Sequence, residues 1–195
     1  MINNLEFSVA DYYDVDGIMA IEEKYFSSNG IAYTKEDIIK WMAYNPEMVY
    51  VARDEEKQVK GFTIIVPLTK IGYDKYRNGL VKDLDKLELS DIVPNMESEY
   101  YYFADVACDN KNKVASMVLF NNILPILLEK AKYIVTTPVT KEGRNKAVRL
   151  CAKNALGDAS IELDEPCYID VEEAREEAEH IIKVTTNILN KGKKR

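Results

Sequence analysis

Asp105 is the residue whose type and setting most readily suggest chemistry. It interrupts the apolar pairs Phe103-Ala104 and Val106-Ala107. On a buried strand face its carboxyl group would be pushed up toward the range where it can exchange a proton near neutral pH. On the outward face it is only the polar half of an alternation, and both readings stay open. Next to it, Tyr100-Tyr101-Tyr102-Phe103 could line a groove for a substrate, as could Tyr12-Tyr13, although aromatic residues are also natural strand formers and core fillers. The three cysteines, Cys108, Cys151 and Cys167, are odd in number, lack C-x-x-C spacing, and could be joined only by His180. That pattern argues against a metal site and predicts free thiols in a reducing compartment, the cytoplasm. His180 falls on a polar helix face and reads as a surface residue. Gly143 reads as a loop or cap glycine, because no G-x-x-x-x-G-K-[S/T] surrounds it.

The composition sets what must hold these residues. With 195 residues, 47% hydrophobic and 30% charged, the chain can bury one domain-sized core, which argues against disorder and against reliance on disulfides. No apolar run approaches the roughly 18 residues that span a bilayer, and Met1-Ile2-Asn3-Asn4-Leu5-Glu6 lacks the regions of a signal peptide, so neither membrane nor export is expected. The formal net charge is −7, and the stretch from Glu162 to Glu179 holds nine acids and one base, Arg175. The rest is therefore close to neutral, nucleic acid is not an expected partner, and Lys191-Gly192-Lys193-Lys194-Arg195 reads as a solvated tail.

Periodicity predicts the elements. Leu5 to Ala10 alternates as a strand. Asp14 can cap a helix carrying Val15, Ile18, Met19, Ile21 and Tyr25, and Thr34 with Asp37 caps a second carrying Ile38, Ile39, Trp41 and Met42. Met48–Arg53 and Gly61–Val66, separated by Asp54-Glu55-Glu56-Lys57, read as an antiparallel hairpin. The stretch from Pro67 to Glu97 reads as an insertion of short helical pieces covering one end of the sheet. Tyr100–Ala107 is a strand that passes through Asp109-Asn110-Lys111-Asn112 into a helix over 113–132, and Tyr133–Thr137 completes a β-α-β crossover. A helix over 144–155, strands at Ser160–Leu163 and Cys167–Ile169, and a C-terminal helix opened by Asp170 and Glu173 finish the chain. That last helix carries Ala174, Ala178, Ile181, Ile182, Ile188 and Leu189 on one side, which could pack on its own domain or form a homodimer contact.

This order resembles the GCN5-related N-acetyltransferases (GNAT) from Leu5 to about Ile169. The resemblance implies an α/β (α+β) fold: a GNAT-like, mixed, mostly antiparallel central sheet flanked by helices, here with an extra C-terminal helix. It implies a domain over 1–169, with the insertion at about 67–97 between strands 3 and 4, and an appended helix and basic tail over 170–195. In that family acetyl-CoA enters beside the fourth strand, and its pyrophosphate sits where the next helix begins, as anions do at helix N-termini. The family's [Q/R]-x-x-G-x-[G/A] signature, aligned from Val106, falls on Lys111-Asn112-Lys113-Val114-Ala115-Ser116. Lys111 keeps the positive charge and Ser116 is small, but Val114 stands where the motif has its first glycine. Lys111 and Lys113 could neutralise phosphate, and Ser116 could donate a hydrogen bond.

The same resemblance implies the remaining roles. The family's N-x-x-A-x-x-[L/F]-Y pattern, matched on Ala147 and Leu150, puts Arg144 at its asparagine and Cys151 at the tyrosine that protonates the CoA thiolate. Cys151 could serve as that acid, although a cysteine on an apolar helix face is more often core filling. The main-chain amide of Ala107 or Cys108 would polarise the thioester carbonyl, and Asp105 or Glu99 would act as base. The implied function is acetyl transfer from acetyl-CoA to a primary amine of a small molecule or protein by direct, base-assisted attack. The acidic chain favours a cationic acceptor such as a polyamine, a lysine side chain or an aminoglycoside. The alternative is an inactive GNAT-like acyl-CoA sensor or protein-interaction module, since two signature residues are replaced.

Overall fold

Asp11 and Thr34 fix where the first two helices begin. In the computed structural model, which describes residues 4–25, 33–82, 84–109 and 113–192, Asp11 Oδ1 accepts from the Tyr13 N–H (2.8 Å). The Asp11 N–H in turn donates to Asp14 Oδ2 (2.7 Å). This reciprocal box closes a 3-10 turn, Tyr12–Asp14, that runs into α1 (Val15–Tyr25). The cap is thus Asp11 rather than the expected Asp14, whose carboxylate is buried and accepts from Arg53 Nε at 2.6 Å. At α2 (Lys35–Tyr44) the expected box is present: Thr34 Oγ1 accepts from Asp37 N (3.1 Å), and Asp37 Oδ2 accepts from Thr34 N (3.0 Å).

The strands are β1 (Glu6–Val9), β2 (Val49–Arg53), β3 (Val59–Leu68), β4 (Tyr100–Cys108), β5 (Tyr133–Thr136), β6 (Lys153–Asn154) and β7 (Cys167–Asp170). They form a seven-stranded sheet in the order β1-β2-β3-β4-β5-β7-β6. The hairpin is as the alternation predicts, β2 pairing antiparallel with both β1 and β3. Its turn is closed by the Lys57 N–H to the Asp54 carbonyl (3.0 Å), with Lys57 at φ 63°. α4 (Lys113–Lys130) carries the crossover from β4 to β5, and these two strands pair in parallel over Tyr100–Tyr102 and Tyr133–Val135. β7 runs antiparallel to β5 and β6, so the sheet is mixed and mostly antiparallel. No described helix is long and apolar enough to cross a membrane.

The chain divides into two compact units. Met1–Ile64, Asp105–Leu124 and Ile181–Arg195 make the first. Here Ala52, Ala115, Val118 and Leu119 form a buried cluster against which Leu5, Phe7, Val106, Cys108, Val114 and Leu189 pack. Leu189 belongs to the C-terminal helix α6 (Val171–Gly192), and Thr185 and Thr186 of the same helix donate to Asn121 Oδ1 (3.0 and 2.7 Å). This stretch of α6 therefore docks on its own chain, while Val184 and Ile188 stay exposed.

Ile65–Ala104 and Pro125–His180 make the second unit. The insertion supplies α3 (Lys70–Arg77) and two 3-10 turns, Leu84–Lys86 and Leu89–Asp91. Tyr73 packs on Tyr100 and Tyr133 (ring centroids 4.7 and 5.6 Å apart), and Tyr76 packs on Tyr102 (4.3 Å). α3 thus lies on β4 and β5 by its aromatic side chains rather than only covering an end of the sheet. The helix expected over 144–155 is α5, Lys141–Arg149. It starts earlier because Thr140 Oγ1 accepts from Gly143 N (3.0 Å), and it stops earlier because Cys151 turns to φ 58°. Ser160–Leu163 is not a strand: Ile161 is buried, its carbonyl accepts from Arg144 Nε (2.6 Å), and the flanking residues are exposed. Asp170 caps α6 as expected, its Oδ1 accepting from Glu172 N (3.0 Å).

Candidate functional site

The end of β4, the residue after it and the first turn of α4 lie within the first unit. Asn110, Lys111 and Asn112, the centre of the expected anion-binding turn, lie outside the described residues. What brackets them is defined. The Asp109 N–H donates to the Lys60 carbonyl (2.9 Å), and its Oδ1 accepts from Lys24 Nζ (2.9 Å) at the end of α1. That hydrogen bond is the largest cause holding the Lys24 ammonium above its ordinary pKa. Close packing explains the glycine in β3: a Cβ on Gly61 would stand 3.0 Å from the Ala107 carbonyl oxygen, 3.0 Å from Cys108 Sγ and 3.2 Å from the Ala115 Cβ.

α4 opens with Lys113 exposed and no acidic residue in its first turn. The N–H groups of that turn and the Lys113 ammonium give the helix start a positive potential, which suits a phosphate or pyrophosphate. Val114 is half-buried against the cluster around Ala115 and Leu119, as are Val106 and Cys108, while Ser116 is half-buried. Val114, expected at the motif's first glycine, is thus a packing residue. Ala107 is buried at the strand end. The structure therefore brings Val106, Cys108, Val114 and Ala115 together in one packed set. Asp105 lies in β4, directly before Val106, and its backbone alone is described.

Glu99, Arg144 and Cys151 belong to the second unit. Glu99 precedes β4, is exposed, and accepts through its carbonyl from the N–H groups of Lys132 (2.8 Å) and Tyr133 (3.0 Å). Arg144 is half-buried and braces the Ile161 carbonyl. Cys151 is exposed beyond the end of α5, which corrects the core reading. All three cysteines are free thiols, and burial pushes Cys167 up to about 12. Tyr12 and Tyr13 are exposed, whereas Tyr101 and Tyr102 are buried. Among the described residues no group of three or more His, Cys, Asp or Glu side chains could hold a metal ion.

Sequence reasoning passed over Glu22. It is fully buried in α1, with Oε1 accepting from the Tyr33 N–H (3.1 Å) and Oε2 without a hydrogen-bond partner among the described residues. Burial raises its pKa to about 7. The signal was present: Glu22 falls in the apolar stripe Val15, Ile18, Tyr25 of an amphipathic helix.

The fold is that of the GCN5-related N-acetyltransferases. A GNAT family N-acetyltransferase from Escherichia coli, solved in complex with CoA, is similar at a TM-score of 0.55 and 18% identity, over 88% of this chain and 84% of that one. The loading GNATL domain of CurA from Lyngbya majuscula is similar at 0.59 and 12% identity, over 87% of this chain and 99% of that one. Arylalkylamine N-acetyltransferase 2 from Aedes aegypti is similar at 0.54 and 11% identity, over 87% and 100%. At these identities the likeness is one of fold. No protein-family model matches the sequence, and none of the curated proteins matches it.

Proposed function

We propose that the protein is an N-acyltransferase of the GNAT type that moves the acetyl group of acetyl-CoA to a primary amine. Residues 1–169 form the catalytic domain in this reading, and 170–195 are an added helix and tail. The observation that carries it is the fold, shared over 88% of the chain with a structure solved with CoA. The start of α4 supports it: an 18-residue helix with a lysine and no acid in its first turn, and with the Val114 side chain engaged in the packed cluster. Lys113 and Lys111 would neutralise the pyrophosphate, with the amides of the turn and Ser116 adding hydrogen bonds.

Acetyl-CoA would supply an activated thioester. The chain's part is to polarise the carbonyl through the Ala107 or Cys108 amide and to take a proton from the incoming ammonium at Asp105, so that a neutral amine attacks. The test is thiol release from acetyl-CoA across a panel of primary amines. Asp105→Asn should lower turnover by about 100-fold, the usual contribution of a general base, while acetyl-CoA still binds. Equal turnover by the variant removes Asp105 from the mechanism.

A further inference from the structure

α1 and the start of α2 are joined by two links of different kinds. One is the Lys35–Asp16 ion pair (2.5 Å), whose side chains are exposed and which contributes little to stability. The other is the hydrogen bond from the Tyr33 N–H to Glu22 Oε1 (3.1 Å), and Glu22 is fully buried. Tyr33 directly precedes Thr34, the N-cap of α2, so this buried link fixes where α2 enters. An open groove of about 580 Å³ lies here, lined on α1 by Asp16, Met19 and Glu23 and at the α2 end by Tyr33, Thr34 and Lys35.

The buried link rests on a group that titrates. Glu22 Oε2 is buried without a hydrogen-bond partner among the described residues, as is the Tyr25 hydroxyl oxygen three residues further along the same helix. A neutral carboxyl group tolerates this setting, whereas a carboxylate there lacks the donors that it has in water. Burial accordingly raises the Glu22 pKa to about 7, against the lowering effect of the Tyr33 N–H. The cations of α1, the α2 start, β2 and β3 are engaged by other carboxylates: Lys24 by Asp109, Lys35 by Asp16, Arg53 by Asp14 and Lys60 by Asp54. Glu23 beside it adds a like charge, Tyr25 and Tyr33 are phenols, and residues 26–32 contribute no titratable side chain.

We infer that Glu22 is a proton-operated latch on the entry to α2: its neutral form holds Tyr33 and closes the α1–α2 groove to its present width, and its ionised form releases Tyr33 so that the carboxylate reaches water. In the open arrangement the carboxyl group takes its ordinary pKa of 4.5, whereas in the closed one it keeps its proton up to about 7. Opening therefore becomes about tenfold more favourable per pH unit between these values and levels off above them. Acidification tightens the groove, and neutral or alkaline solution loosens it. This device is independent of the acetyltransferase reading.

The test is amide hydrogen exchange of the full chain, followed by NMR from pH 5 to pH 8.5, with each rate divided by the intrinsic rate at that pH. In the wild type the protection of Tyr33, and of Asp37 and Ile38, whose N–H groups donate to the Thr34 carbonyl, should fall roughly tenfold per pH unit up to pH 7 and then stay level. In Glu22→Gln, which keeps an oxygen for the Tyr33 N–H, the same protection should not change with pH. The amides that pair β2 with β3 should stay more strongly protected throughout, which marks the opening as local. A flat wild-type profile, or the wild-type slope persisting in Glu22→Gln, overturns the inference. Equal protection of Tyr33 and the β2–β3 amides also overturns it, because the opening is then global unfolding. Thermal melting checks that the variant is folded, and if it is not, the wild-type profile decides alone.

Discussion

Lys24 Nζ lies 2.9 Å from Asp109 Oδ1, tying the last turn of α1 to the residue that leaves β4. The pair spans 85 positions in sequence, and both side chains are close to half exposed. Exposed pairs contribute little to stability, so its consequence is electrostatic. Asp109 places a negative charge beside the turn proposed to receive a pyrophosphate, and Lys24 neutralises it. Lys24→Ala should weaken acetyl-CoA binding and Asp109→Asn should strengthen it, each on the order of threefold at low salt, with both effects shrinking as added salt screens them. Titrations at two ionic strengths check the order, and tighter binding by Lys24→Ala contradicts it.

Glu22 predicts a pH dependence of stability. Its folded pKa of about 7 stands above the ordinary value of 4.5, because burial disfavours the charged form. The folded protein therefore holds a proton that the unfolded chain has released. The contribution of protonated Glu22 is fully present below pH 4.5 and is lost as pH rises through 7. The full loss is roughly 3 kcal/mol, from about 1.4 kcal/mol per pH unit. Glu22→Gln lacks this slope, so its stability relative to the wild type should rise between pH 5 and pH 8. Urea unfolding of both proteins at the two pH values measures the difference, and a constant difference would remove Glu22 as its source.

Val114 has two opposed effects. Its side chain packs on the Ala52, Ala115, Val118 and Leu119 cluster, and in the proposed alignment it stands where the GNAT motif has a glycine. Val114→Gly should cost about 1–2 kcal/mol through lost packing and helix propensity. It should also tighten acetyl-CoA binding, because the backbone of the first turn becomes more accessible to phosphate oxygens. Denaturant unfolding and titration of the same protein separate the two, and a stability loss without tighter binding would show that Val114 does not border the phosphate.

The parts of this molecule that were legible in sequence are those fixed locally. The apolar spacing of Val15, Ile18 and Ile21, the Thr34–Asp37 box and the run Tyr100–Cys108 each state their own element, and together they give the GNAT order. The end of α5 was misread because Ala147 and Leu150 continue a helical pattern, whereas the backbone turns at Cys151. Ser160–Leu163 alternates like a strand but is held by one buried side chain, Ile161, and the Arg144 brace on its carbonyl. Asp105 was legible as a carboxylate among apolar neighbours. The Lys24–Asp109 pair was not, because its partners meet only through tertiary folding. Glu22 could have been read from its place in the apolar stripe of α1.

The central claim is that the turn from β4 into α4 holds a CoA thioester, and titration of the purified protein with acetyl-CoA and with free CoA at moderate salt tests it most directly. The account predicts saturable binding of both, weakened when Lys113 is replaced by alanine. No heat of binding from either ligand, or binding indifferent to Lys113, would contradict it.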